Sequence, residues 1–133
     1  MKALKIDHIG IAVKNLDETI NFYKDVLGLE VGGSEIVEEQ SVKVAFLPIG
    51  DSEIELLEST TEDGPIAKFI EKNGEGMQHI AFKVDDIEEA IEYMKSKGMR
   101  MIDEKARYGA GGAKIAFVHP RSSYRVLVEL TER

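Results

Sequence analysis

The chain repeats itself, and that limits its possible folds more than any other property. Ile6-Asp7-His8-Ile9-Gly10-Ile11-Ala12-Val13 alternates like a strand, and Met77-Gln78-His79-Ile80-Ala81-Phe82-Lys83-Val84 repeats the pattern with histidine at the matching place. A helical stripe follows each. Leu16, Ile20, Tyr23 and Leu27 form the first, opened by Asn15 with Glu18 three positions on and closed by Gly28. Ile87, Ile91 and Met94 form the second, with a start expected at Asp85, Glu88 three positions on, and Gly98 as the C-terminal cap. Three strand-like runs then follow in each half, 31–37, 42–47 and 54–58 first, 100–104, 114–119 and 126–131 second. The joining segment reads as a short helix begun at Pro65.

Side chains alternate across a strand, so Ile9, Ile11 and Val13 share one face, while His8, Gly10 and Ala12 share the other. The branched face suits the helix. Ile80, Phe82 and Val84 likewise oppose His79, Ala81 and Lys83. In the last strand of each half Glu55 alternates with Ile54 and Leu56, and Glu129 with Val128 and Leu130, so both glutamates share the histidines' side. The expected fold class is therefore α+β: two tandem strand-helix-strand-strand-strand modules forming a curved mixed sheet around a metal-containing cavity, with helices on the outer face. One domain, 1–133, is expected, with module one at about 1–63, a linking helix at about 64–75 and module two at about 76–133.

A lone histidine in a strand is most often a hydrogen-bonded core or surface residue, and a lone glutamate most often faces water. Recurrence in the same phase in both halves argues otherwise, and two imidazoles with two carboxylates make a divalent-metal set. With no cysteine, metal can be held only by such groups, and disulfides and thiolate nucleophiles are excluded. His119 has no counterpart in the repeat and is read as structural.

A net charge of -8 opposes nucleic-acid binding. Within 100–125, however, Arg100, Lys105, Arg107, Lys114, Arg121 and Arg125 outnumber Asp103 and Glu104, either as a solvated face or as a surface for a small anion. No apolar run has membrane-spanning length, and the first residues lack the pattern of a secretory signal, so a cytoplasmic protein without membrane contact is expected.

Asp7 to Val13, Gly76-Met77-Gln78-His79-Ile80-Ala81 and Val126-Leu127-Val128-Glu129-Leu130 resemble the vicinal oxygen chelate superfamily, which pairs βαβββ modules. Within it, the likeness to the methylmalonyl-CoA epimerases runs along nearly the whole chain. It includes Phe22-Tyr23-Lys24, Gly64 to Phe69, Tyr108-Gly109-Ala110-Gly111-Gly112 and Phe117-Val118-His119-Pro120. The resemblance implies metal ligands at His8, His79 and Glu129, with a fourth ligand position, often Gln in bacterial members, occupied by Glu55. It implies a divalent ion, cobalt foremost, with zinc, nickel and manganese also suited. It also implies a homodimer that removes a proton between a thioester and a carboxylate through a metal-stabilised enolate.

On this reading Glu129 and Glu55 are the proton-transfer groups, and Lys105, Arg107, Lys114, Arg121 and Arg125 are candidates to contact the phosphates of a CoA thioester. Some bacterial members place a catalytic glutamate where Val44 stands, and valine carries no proton; Glu38 and Glu39 could substitute only if their loop folds inward. The rival readings are a glyoxalase I type lactoylglutathione lyase, which Glu55 in place of Gln favours, a two-His, one-carboxylate iron dioxygenase, and a metal-free small-molecule binding protein of the same fold.

Overall fold

The computed structural model describes residues 1–133, which form two compact units: residues 9–78, and residues 1–8 together with 79–133. The fold class is α+β. Strand β1 (Lys5–Ala12) contributes to both, its residues through His8 to the second unit and those from Ile9 to the first.

In the first unit, β2 (Gly33–Val37), β3 (Val42–Ile49) and β4 (Ser52–Ser59) pair antiparallel, and β4 runs parallel to β1, giving the order β2-β3-β4-β1. Helix α1 (Leu16–Asn21) is capped as expected, Asn15 accepting a hydrogen bond from the Glu18 amide at 3.0 Å. It continues through a π-helical turn, Phe22–Val26, to Gly28 at φ 75°. Leu16, Ile20 and Tyr23 cover Ile11, Val13, Ala45, Leu47, Ile54 and Leu56, so the branched face does lie under the helix. Leu47 and Leu56 are fully buried, each worth about 2 kcal/mol of transfer free energy. Helix α2 (Pro65–Asn73) begins with its proline in the first turn, where the missing N–H costs nothing.

In the second unit, β5 (Gly76–Lys83), β6 (Arg107–Tyr108), β7 (Lys114–Val118) and β8 (Val128–Glu132) lie in the order β5-β8-β7-β6, with β5 parallel to β8. Helix α3 (Ile87–Ser96) lays Ile87, Ala90 and Ile91 against Val84, Ala116, Val118 and Leu130. Its cap is Asp86 rather than Asp85, accepting from the Glu89 amide at 3.1 Å. The shift by one restores the repeat, because Asn15 and Asp86 both stand seven positions after a repeat histidine (15 − 8 and 86 − 79).

Segment 100–104 is not a strand. Only Met101 bridges to Val118, because the Ile102 and Asp103 amides both converge on the Phe117 carbonyl, and the Asp103 carboxylate takes the Phe117 amide at 2.8 Å. A side chain thus replaces the backbone ladder, and the edge strand is Arg107–Tyr108 instead. Strand β8 begins at Val128, two residues later than expected, because Tyr124 and Arg125 take left-handed backbone angles.

The repeat extends to hydrogen bonds no sequence pattern announces. The Glu58 carboxylate accepts the Leu16 amide at 2.6 Å, and that of Glu132, at the equivalent place, accepts the Ile87 amide at 2.9 Å. Each satisfies an orphan donor at a helix start and ties the helix to its sheet.

Candidate metal centre

His8, His79 and Glu129 are all buried and belong to the second unit. Glu129 pairs in register with Ala81, two residues beyond His79, and so lies on the histidine's face of the sheet. The two Nε2 atoms are 3.0 Å apart. The Glu129 oxygens each lie 3.4 Å from one of them, Oε2 from His8 and Oε1 from His79. Donor atoms of all three residues fall within 4.8 Å of one another, close enough to bind one ion.

Asp7 sets the chemistry of His8. Its Oδ2 lies 2.7 Å from His8 Nδ1, and Arg133 donates to the same carboxylate from Nη2 at 2.8 Å and from Nε at 3.1 Å to Oδ1. Burial would raise the Asp7 carboxyl, but the His8 and Arg133 hydrogen bonds and their charge outweigh it and hold it well below the usual carboxylate range. An ionised Asp7 accepts the Nδ1–H, which leaves Nε2 of neutral His8 with its lone pair pointing at His79 and Glu129. Burial pushes His79 down to about 4, reinforced by the His8 ring and opposed by Glu129, so this imidazole is also neutral at physiological pH. Glu129 Oε2 is buried and makes no hydrogen bond. Two neutral imidazoles and a carboxylate converging in this way fit a divalent cation, and the donor types suit Co, Zn, Ni or Mn.

Glu55, also buried, is in the other unit, where its register partner on β1 is Gly10, two residues beyond His8. It therefore occupies the place in its module that Glu129 occupies in the other. Val44 is buried on the same face, since it pairs with Leu57, two residues from Glu55. Glu38 and Glu39 form an exposed 3-10 turn and do not fold inward. Glu35, a carboxylate the sequence reading passed over, stands directly opposite Val44 and is half-buried on that face.

Two of the five basic residues are ion-paired. Arg107 is paired with Asp103 at 2.9 Å, and Lys114 with Glu88 at 3.3 Å, whose hydrogen bond and charge raise the lysine pKa. Arg121 and Arg125 flank a recess with Pro120 and Tyr124, and Lys105 is exposed. His119 Nδ1 accepts the Arg121 amide at 3.1 Å. A second acidic group, Asp86, Glu88 and Glu132, is employed in capping α3 and pairing Lys114. Asp7 and Arg133 are the functional residues that sequence reasoning missed. An aspartate directly before a repeat histidine was the available signal for the first; nothing local pointed to the second.

Residues 7–117 match the Glyoxalase/Bleomycin resistance protein/Dioxygenase superfamily. The chain is 40% identical to mitochondrial methylmalonyl-CoA epimerase of Bos taurus, over 96% of its own length and 74% of that protein. It is 35% identical to the ethylmalonyl-CoA/methylmalonyl-CoA epimerase of Cereibacter sphaeroides, over 96% and 97% of the two chains. A variant of Streptomyces coelicolor methylmalonyl-CoA epimerase, solved in complex with 2-nitronate-propionyl-CoA, superposes with a TM-score of 0.95 at 41% identity, covering 98% of this chain and 95% of that one. With this repeat, this site and these relatives, the chain belongs to the glyoxalase/bleomycin resistance protein/dioxygenase superfamily and, within it, to the methylmalonyl-CoA epimerase family of isomerases.

Proposed function

We propose that this protein epimerises methylmalonyl-CoA with the help of a divalent metal, by removing and returning the proton on the carbon between thioester and carboxylate. The observation that carries the reading is the buried convergence of His8 Nε2, His79 Nε2 and Glu129. His8, His79 and Glu129 would hold the ion, with Glu55 as the fourth ligand by its repeat-equivalent position. A bound divalent cation supplies positive charge against the negative charge that develops on the thioester oxygen.

Glu129 is the base we assign to one face of the substrate carbon, and Glu55 the group on the other. Burial of both carboxylates excludes water that would otherwise compete for the proton. Asp7 and Arg133 keep His8 in the tautomer that faces the centre. Cobalt is the ion we expect, and a cytoplasmic homodimer the working form.

The deciding experiment incubates metal-loaded protein with methylmalonyl-CoA in D2O, and separately with the methylglyoxal-glutathione adduct. Deuterium incorporation at the substrate carbon, with interconversion of the epimers, is the expected result. Turnover of the adduct without exchange would replace this reading with a lactoylglutathione lyase.

A further inference from the structure

The two histidines of the candidate centre are held by different means. The χ2 angle of histidine has broad, roughly two-fold preferences, so the plane of an imidazole is set by its surroundings. The Asp7 carboxylate holds His8 by a hydrogen bond at 2.7 Å. Rings flank His79: His8 lies 5.1 Å from it, centroid to centroid, with the planes at 89°, and Phe117 lies 5.5 Å from it with the planes at 86°. Both contacts have the perpendicular geometry that aromatic quadrupoles favour.

Phe117 is itself anchored from its far side in the sheet. The Arg107 guanidinium carbon stands over the Phe117 ring, 5.7 Å from its centroid, within the range of a cation–π contact. Asp103 clasps both residues: its Oδ1 accepts from Arg107 Nε at 2.9 Å, and its Oδ2 accepts from the Phe117 amide at 2.8 Å. The sheet lines these groups up. Arg107 is opposite Ile115, two residues from Phe117; Phe117 is opposite Glu129; and Glu129 is level with Ala81, two residues from His79. Arg107, Phe117, Glu129 and His79 therefore share one face across β6, β7, β8 and β5. The irregular segment 100–104 is what permits the clasp, because a regular ladder there would pair the Phe117 amide with a backbone carbonyl and leave Asp103 no hold on β7.

We infer that Asp103, Arg107 and Phe117 form a strut that fixes the plane of His79, so that its Nε2 and the Glu129 carboxylate meet one divalent ion. The inference rests on the metal-centre reading. It makes Phe117 and Arg107 positioning residues that act through His79, in the way that Asp7 and Arg133 act through His8. It also removes Arg107 from the candidates for carrier phosphates, since its guanidinium lies on a ring and is tied to Asp103.

The sign of one effect separates a strut from a mere charge. Removing Arg107 deletes a cation close to a divalent ion and leaves the Asp103 carboxylate uncompensated, so electrostatics alone would tighten metal binding. Loss of the strut frees the Phe117 and His79 rings and weakens binding instead.

The test titrates Co(II)-loaded protein with a chromogenic chelator and records the visible absorption of the bound ion, which follows its coordination geometry. Arg107→Ala should weaken Co(II) binding about threefold, and Phe117→Leu, which keeps an apolar side chain but no ring, about 10-fold, both with an altered Co(II) spectrum. Phe117→Tyr keeps the ring and should restore affinity and spectrum. In the Phe117→Leu background Arg107→Ala should no longer weaken binding, because the guanidinium acts through the ring. Melting in EDTA establishes that each metal-free variant is folded; should Phe117→Leu not fold, Arg107→Ala, whose side chain is 42% exposed in the wild type, carries the test alone.

An Arg107→Ala protein that binds Co(II) as tightly as wild type, or more tightly, overturns the inference. So does further weakening when Arg107→Ala is added to Phe117→Leu. A salt-sensitive rise in KM for methylmalonyl-CoA with Co(II) affinity unchanged overturns it too, and returns Arg107 to the phosphates. Failure of the metal-centre reading looks different: the wild-type protein itself would then bind no stoichiometric Co(II).

Discussion

Asp7→Asn removes one charge from the centre and almost no volume, and the surrounding hydrogen bonds allow its effect to be worked out. The carboxylate accepts from His8 Nδ1 at 2.7 Å, from Arg133 Nη2 at 2.8 Å and from Arg133 Nε at 3.1 Å. An asparagine oxygen at the Oδ2 position keeps the first two bonds but sets its NH2 against the Nε–H, donor facing donor. Turned the other way, it satisfies Nε, opposes Nη2, and donates to His8 Nδ1, which drives the ring proton onto Nε2 and removes the lone pair a metal would use. The first orientation costs the negative charge that makes His8 a strong donor; the second costs the ligand.

Loss of a carboxylate that orients a ligating histidine typically weakens metal binding about 10- to 100-fold, or roughly 1.4 to 2.7 kcal/mol. The assay is competition for Co(II) against a chromogenic chelator, with melting in EDTA to confirm that the metal-free variant is folded. A folded Asp7→Asn protein that binds Co(II) within twofold of wild type would refute the assignment of His8's tautomer to Asp7.

His8→Ala, His79→Ala and Glu129→Ala should each lose or severely weaken one divalent ion per chain by metal analysis, and stoichiometric metal in the His8→Ala/His79→Ala double variant would rule out the centre. Glu129→Gln should abolish solvent exchange from both epimers, whereas Glu55→Gln should slow exchange from one epimer preferentially; wild-type rates in Glu55→Gln would direct attention to Glu35 beside Val44. Because His79 titrates at about 4 when folded and 6.5 when unfolded, the unfolded chain binds the extra proton first, so stability is retained above pH 6.5 and lost as pH falls toward 4. Urea unfolding in EDTA should show about 2 kcal/mol less stability at pH 5 than at pH 7.5, and His79→Gln should flatten that difference. Leu56→Ala, at a fully buried position under α1, should cost 2–5 kcal/mol in the same unfolding assay, with the far-UV spectrum retained.

Most of the candidate centre was legible because the side chains that form it sit on strands, where a period of two converts position into direction. His8 and His79 announce the repeat, and Glu55 and Glu129 follow from phase alone, as the matched registers Gly10 with Glu55 and Ala81 with Glu129 bear out. The missed features depend on pairings that no local window contains. Arg133 reaches Asp7 across 126 positions. Segment 100–104 alternates like a strand, but the Asp103 side chain takes the ladder bond. Asp85 and Asp86 each have a glutamate three residues on, so the pattern alone could not choose the cap. Nor could the sequence show that Asp103 and Glu88, one nearby and one 26 positions away, pair with two of the basic residues.

The passage of β1 from one unit to the other orders the molecule's assembly in time. Residues 9–78 are contiguous, so during synthesis their unit has every internal partner once residue 78 has emerged. Residues 1–8 are translated before that unit yet belong with 79–133; the Leu4 amide waits for the Lys83 carbonyl, and His8 waits for His79, 71 positions later. Long sequence separation of this kind slows closure. The earliest made of the three converging side chains is thus among the last put to use: His8, His79 and Glu129 come together only when Glu129 has been synthesised.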